Sequence, residues 1–131
     1  WYPSSFFMGD VGSTFLGAVL SVLLLSESEF KEFIGILIIS SPLLLDSFIC
    51  VIRRLFDKQN IFKAHKLHLY QRLVQGGWSH SLVSSIYIGS SAIISIACIS
   101  QNIFVISLSI ILLIIFGYSL DKNYAKPFIS S

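Results

Sequence analysis

The chain has 131 residues, of which 54% are hydrophobic and 12% charged, with a formal net charge of +2. That charged share is about half the ordinary globular value, and with a mean hydropathy of +0.80 there are too few polar groups to cover a surface facing water. These figures exclude an ordinary soluble domain, and so small a charge gives no basis for a nucleic-acid partner. What remains is an integral membrane protein, and four apolar segments define its elements.

The first segment, residues 11–25, is short for a span and can be extended through Phe6 and Phe7; Ser26-Glu27-Ser28-Glu29 ends it. The second, 33–52, contains Pro42 and Asp46. A strongly basic loop, 53–80, separates it from the third and fourth segments, 82–100 and 103–120, which are joined by Gln101-Asn102 in a tight hairpin. A helix needs roughly 20 residues, at about 1.5 Å each, to cross a hydrocarbon core of about 30 Å. The isoleucines and serines would suit strands in water, but an open sheet edge cannot be satisfied in lipid. The expected fold is therefore all-α, a polytopic transmembrane bundle of about four membrane helices.

Cys50 and Cys98 sit in apolar runs without a CxxC spacing. Small packing residues are expected there, rather than a disulfide or a thiolate metal site. The chain starts at Trp1 with no charged segment before its first apolar run, so a signal peptide is not expected and a start in mid-protein is.

Orientation follows from the cations. The 53–80 loop carries Arg53, Arg54, Lys58, Lys63, Lys66 and Arg72 against a single acid, Asp57. The positive-inside rule places this loop in the cytoplasm, together with the first residues and the tail 121–131. Residues 26–31 and 101–102 then lie outside. Asp10 and the basic loop consequently share the cytoplasmic face.

Three groups of residues carry chemical content. In Gly9-Asp10-Val11-Gly12-Ser13 the glycines allow backbone to approach a ligand, and Asp10 can supply a hard oxygen to Mg²⁺. The same residues also suit a helix N-cap followed by close helix packing. In the run from Ala64 to Leu73, Leu67, Tyr70 and Leu73 recur at helical spacing, which predicts an amphipathic segment on the membrane surface. His65 and His68, and His68 and Arg72, would share a face and form a cationic ridge suited to diphosphate oxygens. Anionic lipid headgroups would suit it as well. Asp46, an acid inside an apolar run, is expected to face protein or a water-filled cavity. Arg53, Arg54, a substrate, or the backbone freed by Pro42 are its candidate partners.

The motifs together resemble one family. Phe7-Met8-Gly9-Asp10-Val11-Gly12-Ser13-Thr14-Phe15-Leu16-Gly17 closely resembles the FMGDxGSxxLG signature of the polyprenyl-phosphate N-acetylhexosamine-1-phosphate transferases. That family includes the phospho-N-acetylmuramoyl-pentapeptide transferase and the initiating enzymes of O-antigen and teichoic acid synthesis. Pro42 to Asp46, Ile52-Arg53-Arg54, the Ile61 to Leu73 run and Gly77-Trp78-Ser79-His80 follow in the family's order and spacing. The wording of the histidine run is closer to the O-antigen-initiating members than to the peptidoglycan enzyme.

The resemblance implies transfer of a sugar 1-phosphate from a UDP-N-acetylhexosamine to polyprenyl (undecaprenyl) phosphate, with release of UMP and a need for Mg²⁺. It implies that Asp10 is a metal ligand, that Phe7 stacks on uracil beside Gly9, and that His65, His68 and Arg72 hold phosphate groups. It also implies the bacterial inner membrane, a site facing the cytoplasm, membrane lipid as surroundings and a second copy of the chain as a candidate partner. Tyr70, Gln71 and Arg72 stand where other members carry adjacent histidines. The family's paired aspartates precede the Phe-Met-Gly-Asp motif, so this chain is expected to be a C-terminal part of a ten- to eleven-helix enzyme, incomplete for turnover alone. The alternative from another class is a small helical membrane subunit that binds anionic lipid through its basic loop.

Overall fold

The computed structural model describes residues 9–60 and 66–128. Among them it contains six helices and no strand: α1 (Gly9–Ser26), α2 (Phe30–Ile39), α3 (Ser41–Phe56), α4 (Leu69–Gln75), α5 (His80–Ile99) and α6 (Ile103–Asn123). The chain divides into two compact units, Trp1–Ile38 and Ile39–Ser131. The all-α membrane architecture expected from composition is what the chain forms. Among the described residues, α5 and α6 are each long and apolar enough to cross a bilayer, and α2 with α3 would make a third span if counted as one.

In the first unit, α1 takes in Gly9 and Asp10, so the backbone is already helical at the glycine motif. Phe15, Leu16, Val19, Val22 and Leu25 are all exposed along it, as suits a helix whose solvent is lipid. The Ser21 hydroxyl donates to the Gly17 carbonyl at 2.9 Å, so a polar side chain is satisfied within its own helix.

The single second span expected over 33–52 is instead interrupted at Ser40, the N-cap of α3. Pro42, in the first turn of α3, is the physical reason: it has no N–H to give to a preceding carbonyl, and its ring clashes with an uninterrupted helix behind it. The Leu43 and Leu44 N–H groups both turn to the Ser40 carbonyl, each at 3.2 Å, and start the new helix.

The second unit is built on the α5–α6 hairpin. Ser79 caps α5 by accepting from the Leu82 N–H at 3.3 Å, and Asn102 caps α6 by accepting from the Phe104 N–H at 2.9 Å. Between them Gln101 takes a positive φ of 53°, which closes the turn in two residues. Helix α4 lies inside the expected basic loop and ends at Gly76-Gly77, where Gly77 has a φ of 101°. Leu73 of α4 is fully buried against Val83 of α5 and Leu120 of α6, with Trp78, Tyr87 and Ala125 packed around them. This small core lies at the end of the hairpin away from Gln101. The remaining length of α5 and α6 is largely exposed and apolar, Ile99 and Phe104 among it. Cys50 is buried and Cys98 half-buried, and the two are not joined in a disulfide.

Candidate functional site

The polar residues of the second unit collect at its cored end. On α3, Asp46, Cys50, Arg53 and Arg54 recur at intervals of three and four, so they share one face of the helix. Asp46 Oδ1 accepts the N–H of Leu69, the first residue of α4, at 2.8 Å. Its Oδ2 accepts the Tyr87 hydroxyl of α5 at 2.9 Å. The acid is therefore used by a helix amide and a phenol, and neither Arg53 nor Arg54, which the sequence suggests, is its partner. A carboxylate is well suited to both tasks, since the first amides of a helix have no partner within it.

A second carboxylate, Asp121 near the end of α6, takes the arginines. Its Oδ1 accepts from Arg72 Nη1 at 2.5 Å and its Oδ2 from Arg53 Nη2 at 2.6 Å. Arg72 also donates through Nε to the Lys126 carbonyl at 2.7 Å, and the Lys126 N–H returns to the Arg72 carbonyl at 3.1 Å. The Phe128 ring lies 5.4 Å from the Arg72 guanidinium carbon and 5.6 Å from that of Arg53, within cation–π range of both. Arg54 is buried and donates to the Asn60 carbonyl. The buried arginines are thus met by a carboxylate or by carbonyls, as buried cations must be.

His68 is the N-cap residue of α4 in an extended conformation, φ −59° and ψ 149°. Its backbone N–H donates to Gln71 Oε1 at 3.3 Å, one arm of a capping box. Its ring stacks on Tyr70, with centroids 5.5 Å apart. Tyr70 in turn meets Tyr87 edge-on. Burial, with the Asp46 carboxylate adding to it, pushes the Tyr70 phenol above its usual range.

Beside this cluster lies a cavity of about 240 Å³. Leu45, Ile49, Ile86, Ile94, Ile110 and Leu113 line it with hydrocarbon from α3, α5 and α6, and Asp46, Arg53, Arg72 and Asp121 also border it. An apolar groove bordered by two guanidiniums and two carboxylates can receive an amphiphile, its chain along the groove and its polar group against the charges.

No family model matches the chain, and no solved structure matches it. A protein of Bacillus subtilis strain 168, described as a probable undecaprenyl-phosphate N-acetylglucosaminyl 1-phosphate transferase, is 34% identical over an alignment of 142 residues. The alignment takes in 98% of this chain and 39% of the relative. Along nearly its whole length, this chain is similar to that transferase. It spans about two fifths of the length of the member it matches.

Against the transferase signature, the second unit brings His68 and Arg72 into one short helix and its cap, while Phe7 and His65 lie outside the described residues. Gly9 and Asp10 are the first residues of α1 and belong to the first unit. Arg72 does not stand on an exposed ridge with His68 as the helical spacing suggests, because it is 5% exposed and turned to Asp121. Among the described residues no three His, Cys, Asp or Glu side chains converge as a metal cage. Mg²⁺ usually keeps several waters and takes one or two carboxylates together with substrate phosphates, so a single aspartate fits its habit.

Asp121 and the 124–128 segment were not legible as part of a site. The signal present in the sequence is modest: an acid at the end of an apolar helix, on the same predicted side as a loop with six cations and one acid.

Proposed function

We propose that this chain forms part of an enzyme that moves a sugar 1-phosphate from a UDP-N-acetylhexosamine to a polyprenyl phosphate at the cytoplasmic face of the bacterial inner membrane. An oxygen of the lipid phosphate attacks the phosphorus that carries the sugar. The bond from that phosphorus to the bridging oxygen breaks, UMP leaves with the electron pair, and a lipid-linked sugar diphosphate results. Both substrates are anionic, so their approach needs cations.

One observation carries this reading: Arg53 and Arg72 share a single carboxylate beside a hydrocarbon-lined cavity, in a chain related to such a transferase. The two guanidiniums put N–H donors and positive charge beside the place where a lipid phosphate would arrive, with apolar walls for the carbons next to it. On this reading His68 and His65 meet diphosphate oxygens, and Arg72 supplies charge from within the protein. Phe7 offers a ring to the uracil, and Gly9 allows backbone to approach the nucleotide. Asp10 offers an oxygen to Mg²⁺, which would neutralise the diphosphate when bound.

The test is UMP release in membranes from cells expressing the protein from its own gene, with whatever coding sequence accompanies this chain. Release is expected to require both a UDP-N-acetylhexosamine and undecaprenyl phosphate, and Asp10→Asn is expected to lower it at least about 100-fold. An Asp10→Asn protein that keeps its rate would sink the metal-ligand assignment. Retention of anionic lipid with no UMP release from the parent would favour the non-enzymatic lipid-binding subunit.

A further inference from the structure

Helix α4 has seven residues, fewer than an isolated helix needs to persist in water. Its position is therefore imposed from outside. Asp46 receives its first amide, Leu73 is buried beneath it, and Arg72 is gripped at the far side. Of these, the grip on Arg72 engages the most elements at once. Asp121 of α6 binds Arg72 of α4 through one oxygen and Arg53 of α3 through the other. The two guanidinium groups are further covered by Phe128, and the Lys126 peptide pairs with Arg72 in both directions. The Arg72 N–H also donates to the His68 carbonyl at 3.0 Å, so a shift of Arg72 is passed one turn back to the histidine.

We propose that Asp121, assisted by the 124–128 segment, is a positioning residue: it locks Arg72 and Arg53 in place and thereby sets where His68 stands, without touching substrate itself. The inference rests on the transferase reading above for its catalytic consequence, and on geometry alone for the clamp. Replacing the carboxylate by an amide removes the charge that both arginines use and leaves two cations adjacent and uncompensated. Helix α4 then loses its fixed register with α6, and His68, one turn back from Arg72, is left with the Asp46 contact at Leu69. Alignment is what phosphoryl transfer depends on most, and a displacement of about 1 Å can cost about 100-fold in rate.

The experiment compares Asp121→Asn, Asp121→Glu and Lys126→Pro in the protein expressed from its own gene. Lys126→Pro removes the N–H that reaches Arg72 and lies outside the helices, so it leaves the bundle intact. Two readouts are taken: the steady-state constants for UMP release, and amide hydrogen exchange across 69–75 and across α5 and α6. Asp121→Asn is expected to lower kcat about 10- to 100-fold with KM for the UDP-sugar changed less than about threefold. Exchange should quicken in α4 alone. Asp121→Glu should restore most of kcat, and Lys126→Pro should give a smaller loss of the same kind.

Unchanged kcat and unchanged α4 exchange in Asp121→Asn would overturn the proposal. So would quickened exchange throughout α5 and α6, which would make Asp121 a general stability residue. If the parent releases no UMP at all, the transferase reading fails. The α4 exchange then still decides the clamp.

Discussion

The backbone of Gly76 passes so close to the C-terminal segment that a Cβ there would run into the carbonyl oxygen of Tyr124. Its neighbour Gly77 has open space around it but a φ of 101°, where a side chain is strained by its own backbone. The two glycines are thus needed for different reasons, and their alanine variants separate them. Gly76→Ala should cost about 1–3 kcal/mol through overpacking and should also push Tyr124 off Trp78, whose ring centroid lies 5.2 Å away. Gly77→Ala should cost about 1–2 kcal/mol and leave that contact in place. Thermal unfolding in detergent gives the first comparison, and Trp78 emission in a Trp1→Phe background gives the second. Equal emission changes in the two variants would show that Gly76 carries no special contact. The Gly-Gly pair announces a turn in the sequence, whereas the demand on Gly76 does not, because it is made by a residue of the tail.

Periodicity and hydropathy locate α5 and α6 within a few residues, since in each the apolar run and the cap coincide at Ser79 and Asn102. The interruption at Ser40 was also signalled, by Pro42, although hydropathy alone carries an apolar run straight through it. Helix α4 is different in kind. Its apolar spacing is visible, but its docking depends on Asp46, and the partners of Asp46 come from α4 and α5, beyond the reach of local pattern. Substitutions at Asp46 should expose this. Asp46→Ala leaves the Leu69 N–H and the Tyr87 hydroxyl without their acceptor, a loss of about 3 kcal/mol at about 1–3 kcal/mol per unsatisfied group. Asp46→Asn should cost far less. Its carbonyl can still accept from Leu69, and the Tyr87 hydroxyl can reverse its role and accept from the amide. Hydrogen exchange in 69–75 measures the difference directly; an alanine variant that protects α4 as well as the parent does would remove Asp46 from its docking.

At the scale of the molecule, the membrane orientation joins sequence to structure. The positive-inside rule puts the 53–80 loop and the tail on one side of the bilayer from charge alone. Within the second unit the reciprocal bonds between Arg72 and Lys126 and the shared Asp121 place those two segments at one end of the bundle. The antiparallel α5–α6 hairpin, with about 20 residues in each arm, carries Gln101 and Ile103 about 30 Å to the other end. A charge rule and a set of contacts independent of it therefore agree that the loop and the tail lie together. Single-cysteine labelling tests it, in a background with Cys50→Ala and Cys98→Ala so that no native thiol reacts. Asp57 and Lys122 are exposed at the basic end, and Ile103 is 76% exposed at the other. A membrane-impermeant maleimide added to intact cells should modify Ile103→Cys and spare Asp57→Cys and Lys122→Cys, and inverted vesicles should reverse the pattern. Labelling of Asp57→Cys and Lys122→Cys from opposite sides would break the contact end apart, and with it any site built from Arg53, Arg72 and Asp121. Labelling of both from the outside would keep that end together but face it away from the cytoplasm, which would overturn the proposed use of a UDP-sugar.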